Sequence, residues 1–191
     1  MAQELRIAEV QEVETPKPGT WKLDAHHTTV EFVARHMLTK VRGRFAEFDG
    51  SIKIAEKPEE SSVNVTIAAP SIDSGSEMRD GHLKSADFLD VEKFPVLSFK
   101  STKVDVVDDE HLRVTGDLTI RDVTKPITLD VEYLGQSESP TGSTAAAFSA
   151  SADFERENWG VNWNVALETG GFLVSKNVRI EIETELVPAE S

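Results

Sequence analysis

From Trp21 onwards, apolar and polar residues alternate with a period of two along most of the chain. This period predicts β-strands, because successive side chains of a strand point to opposite faces of the sheet. The pattern is clearest near the C-terminus, where charged residues separate Val178, Ile180, Ile182, Thr184 and Leu186. Strands with one apolar and one polar face are typical of antiparallel sheets that face water on one side.

About eight such segments follow one another, and short turns join most of them. Asp49-Gly50, Asp108–Glu110 and residues 121–126 are interpreted as turns, and residues 135–144 as a polar loop. Long strands of this kind, with little helix to cover them, must close into a barrel or pair as a sandwich. Closure also removes exposed sheet edges, so the sequence predicts an all-β fold with a barrel favoured.

Several positions on the predicted inner faces carry small residues: Ala34, Gly43, Ala69, Ala150 and Ala152. An eight-stranded barrel either fills its interior with side chains or holds one small ligand. Small residues between phenylalanines leave room for a ligand, whereas Met37 or the tryptophans would fill that space. The pattern alone therefore leaves a cavity and a packed core as equal alternatives.

The stretch Ser76–Asp90 departs from the alternation and predicts a helix, with Asp73 and Ser74 as candidate N-caps. Met78, His82, Ala86 and Leu89 recur at helical spacing, as do Arg79 and Leu83. A single short helix on a barrel is expected to close one end, with its apolar face towards the interior. For Arg79 and Asp80, an ion pair that fixes the helix to the barrel rim is favoured over direct contact with a ligand.

The charge of the chain disfavours nucleic acids and anionic lipid surfaces as partners. Twenty basic and 34 acidic residues give a formal net charge of −14, and the basic residues are scattered. There is no cysteine, which excludes disulfides and thiol chemistry. No apolar run is long enough to cross a bilayer.

The expected domain organisation is an acidic extension over residues 1–19, a barrel domain over 20–187 and a tail over 188–191. The extension ends in the linker-like sequence TPKPG and lacks the basic start and apolar core of a secretory signal. The expected location is therefore the cytoplasm.

The five histidines do not form a recognisable metal or catalytic motif. His26 and His27 are adjacent and would point to opposite faces of a strand, and His36, His82 and His111 are isolated in sequence. His36 shares a predicted strand face with apolar residues, so a core histidine is favoured over a ligand contact. No nucleophile elbow, phosphate-binding loop or dinucleotide fingerprint occurs either.

The sequence NWGVNWN at residues 158–164 concentrates two tryptophans and several asparagines. Trp159 and Trp163 are predicted to fill one end of the barrel. The amides of Asn162 and Asn164 are candidates for contact with a carbonyl headgroup.

Four stretches together resemble the YceI-like, polyisoprenoid-binding family. They are GTWKLDAHHTTVEFVARHMLTKVRGRFAEFDGSIKI, IDSGSEMRDGHLKSADFLDVEKFPVLSFKST, VTGDLTIRDVTKPITLDVEYLG and NWGVNWNVALETGGFLVSKNVRIEIETEL. The resemblance covers about Gly19 to Leu186, in the expected order. Its most specific part is the R-D-x-H-L-x-S-x-D-F stretch followed by F-P.

The resemblance implies a lipocalin-like barrel of eight antiparallel strands with one or two short helices at an end. It also implies an elongated tunnel for a long isoprenoid chain, such as that of a polyprenyl quinone, and a homodimer. Many relatives are exported to the periplasm, whereas no export signal is seen in this chain. By position, Arg79, His82, Leu83, Phe88 and Phe94 belong to the family's helix-and-lid segment, and His36-Met37 and Trp163-Asn164 match two further family pairs.

We therefore expect a protein that binds a long-chain isoprenoid lipid as carrier, store or sequestering protein, without a catalytic cofactor. The alternatives are an enzyme that uses His36, His82 or Arg79 on a hydrophobic substrate, and a packed-core dimeric interaction module. The expected ligand-binding residues are Phe32, Ala34, His36, Met37, Phe45, Ile54, Val65, Ile67, Met78, Arg79, His82, Leu83, Phe88, Phe94, Phe99, Phe148, Ala150, Trp163 and Asn164.

Overall fold

A computed structural model describes residues 15–138, 140 and 142–189. The predicted extension therefore lies outside the described residues over positions 1–14. The strands are β1 (Gly19–Leu23), β2 (Thr29–His36), β3 (Thr39–Phe45), β4 (Phe48–Ile54), β5 (Ser62–Ala68), β6 (Ile72–Asp73), β7 (Val96–Val106), β8 (His111–Ile120), β9 (Val123–Glu138), β10 (Thr144–Glu155) and β11 (Asn177–Pro188). The helices are α1 (Glu77–Lys84) and three 3-10 turns at Pro58–Glu60, Ala69–Ser71 and Arg156–Trp159.

Eight of these strands form a closed antiparallel ring in the order β1-β4-β5-β7-β8-β9-β10-β11, and β11 pairs with β1 to complete it. The same edge of β11 pairs with β2 through Arg179–Glu183, so β2, β3 and β6 extend the sheet beyond the ring. The predicted all-β fold and eight-stranded antiparallel barrel are confirmed. Within the described residues, no helix has both the length and the apolar character needed to cross a membrane.

The barrel has two different ends. The closed end carries α1, the segment 85–95 and the segment 156–176, next to the start of β7 and the end of β10. The mouth, at the other end, carries residues 15–18, the β4–β5 connection at 55–61 and the β7–β8 turn at 107–110. The predicted turn at 108–110 is thus confirmed.

Asp49-Gly50 does not form the predicted turn but lies inside β4. Gly50 faces the core, where an added Cβ would lie 2.8 Å from Cδ1 of Leu23. The glycine is therefore needed for close packing of β4 on β1 and not for a reversal of the chain.

Helix α1 is shorter than predicted and has a different N-cap. Ser76, not Asp73 or Ser74, is the N-cap, and its Oγ accepts a hydrogen bond from the Arg79 amide at 3.4 Å. The helix ends at Lys84 because Ser85 adopts an extended conformation and its hydroxyl donates to the His82 carbonyl at 2.6 Å. A serine that bonds locally to the backbone in this way competes with continued helix.

Arg79 and Asp80 fix the start of α1 by a route that differs from the predicted ion pair. Arg79 donates through Nε to the Ser74 hydroxyl and through a terminal nitrogen to the Ser74 carbonyl, both at 2.7 Å. Asp80 accepts from the Ser74 amide at 2.8 Å and from the Ser74 hydroxyl at 2.5 Å. Both side chains thus hold Ser74, just outside the helix, instead of pairing with each other.

A dense core fills the closed end. Trp159 is buried, packs edge-on against Phe154 at 5.0 Å between ring centroids, and donates from Nε1 to the Leu118 carbonyl at 2.9 Å. The prediction that a tryptophan fills a barrel end is therefore confirmed for Trp159. The exposed part of α1 includes Met78, so the helix does not direct that predicted apolar face into the barrel.

Buried Arg156 ties the closed-end segments together. Its guanidinium donates to the carbonyl oxygens of Val161 at 2.7 Å and Ser175 at 2.9 Å, and it lies over the ring of Phe88 at 5.8 Å. Burial lowers the pKa of this guanidinium below its ordinary value. These bonds anchor the long irregular segment between β10 and β11 to the end of the barrel.

We expect Arg156→Met to lower the free energy of unfolding by about 3 kcal/mol, because it leaves backbone carbonyls without their charged donor. Urea denaturation measures this change. The matched control is Arg113→Met on the exposed outer face of β8, where the arginine forms an ion pair with Asp130 at 3.5 Å. The control should change stability by no more than about 0.5 kcal/mol, and equal losses in both variants would contradict the assigned role.

Candidate ligand cavity

The half of the barrel nearer the mouth encloses a cavity of about 1250 Å³. This volume exceeds the range of roughly 300–1,000 Å³ that is usual for pockets of drug-sized ligands. The lining side chains are mostly aliphatic and come from each of the eight ring strands, among them Leu23, Ile52, Val65, Val104, Val114, Leu129, Phe148 and Ile182. Among the hydroxyl groups of the lining, those of Thr28 and Thr184 are hydrogen bonded to each other at 2.8 Å.

The register of the ladders explains why these side chains face inwards. Ala150 of β10 pairs with Val131 of β9 and with Ile182 of β11, and all three line the cavity. The next inward position on β10, Ala152, is buried in the closed-end core. The boundary between filled core and cavity therefore lies between these two alanines.

Gly116 of β8 sets the position of an aromatic lining residue at that boundary. An added Cβ on Gly116 would lie 2.5 Å from Cζ of Phe99 and 2.6 Å from the Lys100 carbonyl oxygen. The ring of Phe99 therefore lies directly over the glycine of the neighbouring strand. Phe99 belongs to the filled core and also lines the inner end of the cavity.

The predicted small inward residues do not explain the cavity, with the exception of Ala150. Phe32 covers Gly43, Ala69 lies buried in a 3-10 turn, Ala152 belongs to the core, and Ala34 lies outside the lining. The space arises instead because mid-sized aliphatic side chains line a ring of eight strands, while all three tryptophans lie outside the lining.

The structure divides the predicted ligand-binding residues into two groups. The six that line the cavity are Ile54, Val65, Ile67, Phe99, Phe148 and Ala150. The thirteen that lie outside it are Phe32, Ala34, His36, Met37, Phe45, Met78, Arg79, His82, Leu83, Phe88, Phe94, Trp163 and Asn164. The second group lies on the β2–β3 extension or at the closed end, where the core separates it from the cavity.

His82 takes part in an aromatic cluster outside the barrel. Its ring packs edge-on against Trp163 at 4.5 Å and Phe88 at 5.0 Å, and its Nε2 lies 2.9 Å from the Asp87 carboxylate. Leu83 and Phe88 connect this cluster to the closed-end core. The helix segment thus packs on a filled core and not over the cavity.

Two further residues differ from their predicted environments. His36 is exposed and not a core histidine, because β2 runs past the ring at this point and, among the described residues, pairs there only with β3 and with Val174. The Asn164 amide is already used within the chain: Nδ2 donates to the Val174 carbonyl at 2.7 Å, and Oδ1 accepts from the amides of Val165 and Val174 at 3.0 Å.

The mouth of the cavity is polar and acidic. Its lining includes Glu56, Asp108, Asp109, Glu110 and His111, all of them exposed. Within residues 15–138, 140 and 142–189, neither lysine nor arginine lines the cavity. The sequence pattern predicts 108–110 only as a turn and leaves His111 isolated, although their position between inward-facing Val106 and Leu112 places them at a strand end.

Asp108 organises the turn at the mouth. Its Oδ1 accepts from the backbone amides of Glu110 at 3.0 Å and His111 at 2.9 Å, and lies 2.7 Å from Nδ1 of His111. The backbone bond from Glu110 and the bond to His111 lower the pKa of Asp108 from 3.8. The hydrogen bond to Asp108 raises the pKa of His111 from 6.5.

A second histidine–carboxylate group lies outside the cavity, where β1 meets β2. Asp24, His27 and Glu185 bring three potential ligand atoms within 4.8 Å of one another. His27 Nδ1 lies 2.8 Å from Asp24 and 3.8 Å from Glu185, so the group is explained by its own ion pairs. Exposed groups of this kind are common without an ion, and the geometry alone assigns none.

Comparison with known proteins identifies the family. The family model of the YceI-like domain matches residues 21–186, and a Staphylococcus aureus (strain N315) relative, UPF0312 protein SA2479, is 36% identical over 87% of this chain and 96% of its own length. The chain belongs to the YceI-like domain family. The resemblance inferred from the sequence is thereby confirmed.

Solved structures of YceI-like barrels resemble this one closely. The Campylobacter jejuni YCEI protein matches with a TM-score of 0.71 and 27% identity over 80% of this chain and 88% of its own. Burkholderia cenocepacia BcnA matches with a TM-score of 0.75 and 23% identity over 87% of this chain and 99% of its own. A polyisoprenoid binding domain from Saccharophagus degradans matches with a TM-score of 0.66 and 14% identity over 91% of this chain and 100% of its own. The last two likenesses show a shared fold.

We expect the imidazole of His111 to titrate above 6.5 in the folded protein, and Asp108→Asn to lower that pKa. Because the folded-state pKa of His111 is raised, its pair with Asp108 stabilises the fold below pH 6.5. That contribution is lost as the pH rises through the raised pKa. The lowered pKa of Asp108 sets the acidic limit of this stabilisation. The contribution is present above pH 3.8 and is lost as the pH falls through the lowered pKa. An NMR titration of the His111 ring measures this pKa in the wild type and in Asp108→Asn, and an unchanged pKa in the variant would contradict the assignment.

Proposed function

We propose that this YceI-like protein binds a long-chain isoprenoid lipid, such as a polyprenyl quinone, and acts as its carrier, store or sequestering protein. The observation that carries the proposal is the cavity of about 1250 Å³ with its mostly aliphatic lining. An isoprenoid tail is itself aliphatic and uncharged, so it can be buried there without any unpaired polar group.

The energetics of burial suit such a ligand. Each CH₂ group removed from water contributes roughly 0.8 kcal/mol, so a five-carbon isoprene unit contributes about 3–4 kcal/mol before ordering costs. A few units are sufficient for tight binding after those costs are subtracted. The relative from Saccharophagus degradans supports the ligand class, since that protein is described as a polyisoprenoid binding domain.

The proposal involves no reaction. The three residues of the enzymatic alternative, His36, His82 and Arg79, lie outside the cavity, and the last two have bonding partners within the closed end. A packed-core interaction module is also disfavoured, because the half of the barrel nearer the mouth is hollow.

Direct binding measurements test the proposed ligand class. We expect native mass spectrometry of gently purified protein to show a lipid adduct, or the delipidated protein to take up a polyprenyl quinone in titration with a stoichiometry of one. Protein that shows no adduct and takes up no polyprenyl quinone would refute the proposal.

Substitution of Ala150 tests whether the cavity is the binding site. We expect Ala150→Phe to weaken uptake of the polyprenyl quinone at least tenfold, because the added ring occupies space beside Val131 and Ile182. The free energy of unfolding should change by less than about 1 kcal/mol, because the ring enters a cavity and not a filled core.

Ala146→Phe is the matched control on the same strand. Ala146 is fully buried among Trp21, Tyr133 and Leu186, so the added ring has no space and should cost about 1–3 kcal/mol of stability. Wild-type uptake by Ala150→Phe would place the ligand elsewhere, and equal destabilisation of both variants would show that the interior at Ala150 is filled.

A further inference from the structure

The polar groups of the cavity are concentrated at the mouth. The inner end is formed by Phe99, Leu118 and Ile127, which also belong to the closed-end core. The pair Thr28–Thr184 is internally satisfied. An amphipathic guest with one polar end therefore has to enter tail first and leave its headgroup at the mouth, because burial of an unpaired polar group is unfavourable.

Carboxylates dominate the charge at the mouth. Asp108 and His111 contact each other directly, which leaves Glu56, Asp109 and Glu110 to set the local potential. The segments at the mouth include Lys17 and Lys57, but neither lysine lines the cavity. The Lys57 ammonium lies 3.7 Å from the Glu60 carboxylate. An anionic headgroup would thus meet three carboxylates in a protein whose formal net charge is −14.

One ring nitrogen at the mouth is available to a headgroup. Asp108 holds Nδ1 of His111, and Nε2 has no hydrogen-bond partner among the described residues. In the neutral ring, Nε2 accepts a hydrogen bond from a hydroxyl group, and in the protonated ring it donates one to a carbonyl or hydroxyl oxygen. Either form can pair with an uncharged oxygen-containing headgroup.

We propose that the mouth is a headgroup filter: Glu56, Asp109 and Glu110 exclude phosphate and carboxylate headgroups, and His111 binds an uncharged hydroxyl or carbonyl headgroup. This inference rests on the proposed function, because it concerns the polar end of the same isoprenoid ligand. It separates prenols and prenyl quinones from prenyl phosphates with an identical tail.

The first experiment compares geranylgeraniol with geranylgeranyl phosphate on the full chain. Exposed carboxylates act through water, so we expect the alcohol to bind about tenfold more tightly at low salt and the difference to narrow as salt is added. Equal affinities at low salt would overturn the filter and leave the proposed function intact. If neither compound binds, and a polyprenyl quinone does not bind either, the proposed function itself fails.

The second experiment removes the charge without changing side-chain shape. In Glu56→Gln/Asp109→Asn/Glu110→Gln, we expect the phosphate to bind several-fold more tightly and the alcohol to keep its affinity. The control Glu92→Gln/Asp117→Asn/Asp122→Asn makes the same change in net charge on exposed residues at the closed end. Equal gains for the phosphate in both variants would assign the effect to overall charge and overturn the filter.

The third experiment tests the role of His111. His111→Leu should weaken geranylgeraniol binding about two- to tenfold, the range for one lost hydrogen bond, and His111→Gln should restore most of it. Circular dichroism checks that both variants fold. Unchanged affinity in a folded His111→Leu protein would overturn the assignment of this residue.

Discussion

The whole interior depends on three residue pairs that close the barrel. Trp21, Lys22 and Leu23 of β1 pair with Pro188, Val187 and Leu186 of β11, and this short ladder converts an open sheet into a ring. Trp21 and Leu186 are both buried beside Ile52 and Tyr133, so packing supports the ladder from inside. Without this closure, β1 and the end of β11 would be exposed sheet edges and the aliphatic inner face would be an exposed apolar surface. Both features promote aggregation.

The closed ring has two differently constructed halves. At the closed end, Phe88, Trp159 and Val161 fill the interior, and Arg156 fixes the irregular segment that supplies the last two. At the mouth, side chains no larger than those of Phe148 and Tyr133 line the wall and leave space. Dense packing is thus concentrated at one end, which allows the other to remain hollow without loss of a cooperative core.

The fold was predictable from the sequence, and the site only in part. The period of two identifies the inward faces, so Ile54, Val65, Ile67, Phe99, Phe148 and Ala150 follow directly from alternation. The error on α1 arose because helical spacing does not reveal which end of a barrel a helix covers, or that the core beneath it is full. The exposure of His36 depends on how far β2 extends past the ring, and the acidic mouth depends on connections that meet only in three dimensions.

An empty apolar cavity is unfavourable for the protein that contains it. Its lining atoms lose the dispersion contacts that a filled interior provides, and water makes few bonds to Leu23, Val65 or Ile182. A ligand that binds only the folded chain stabilises it by mass action, so occupancy and folding are thermodynamically coupled. Under the proposed function, the guest therefore completes the hollow half of this barrel, and the closed-end core maintains the fold when the guest is absent.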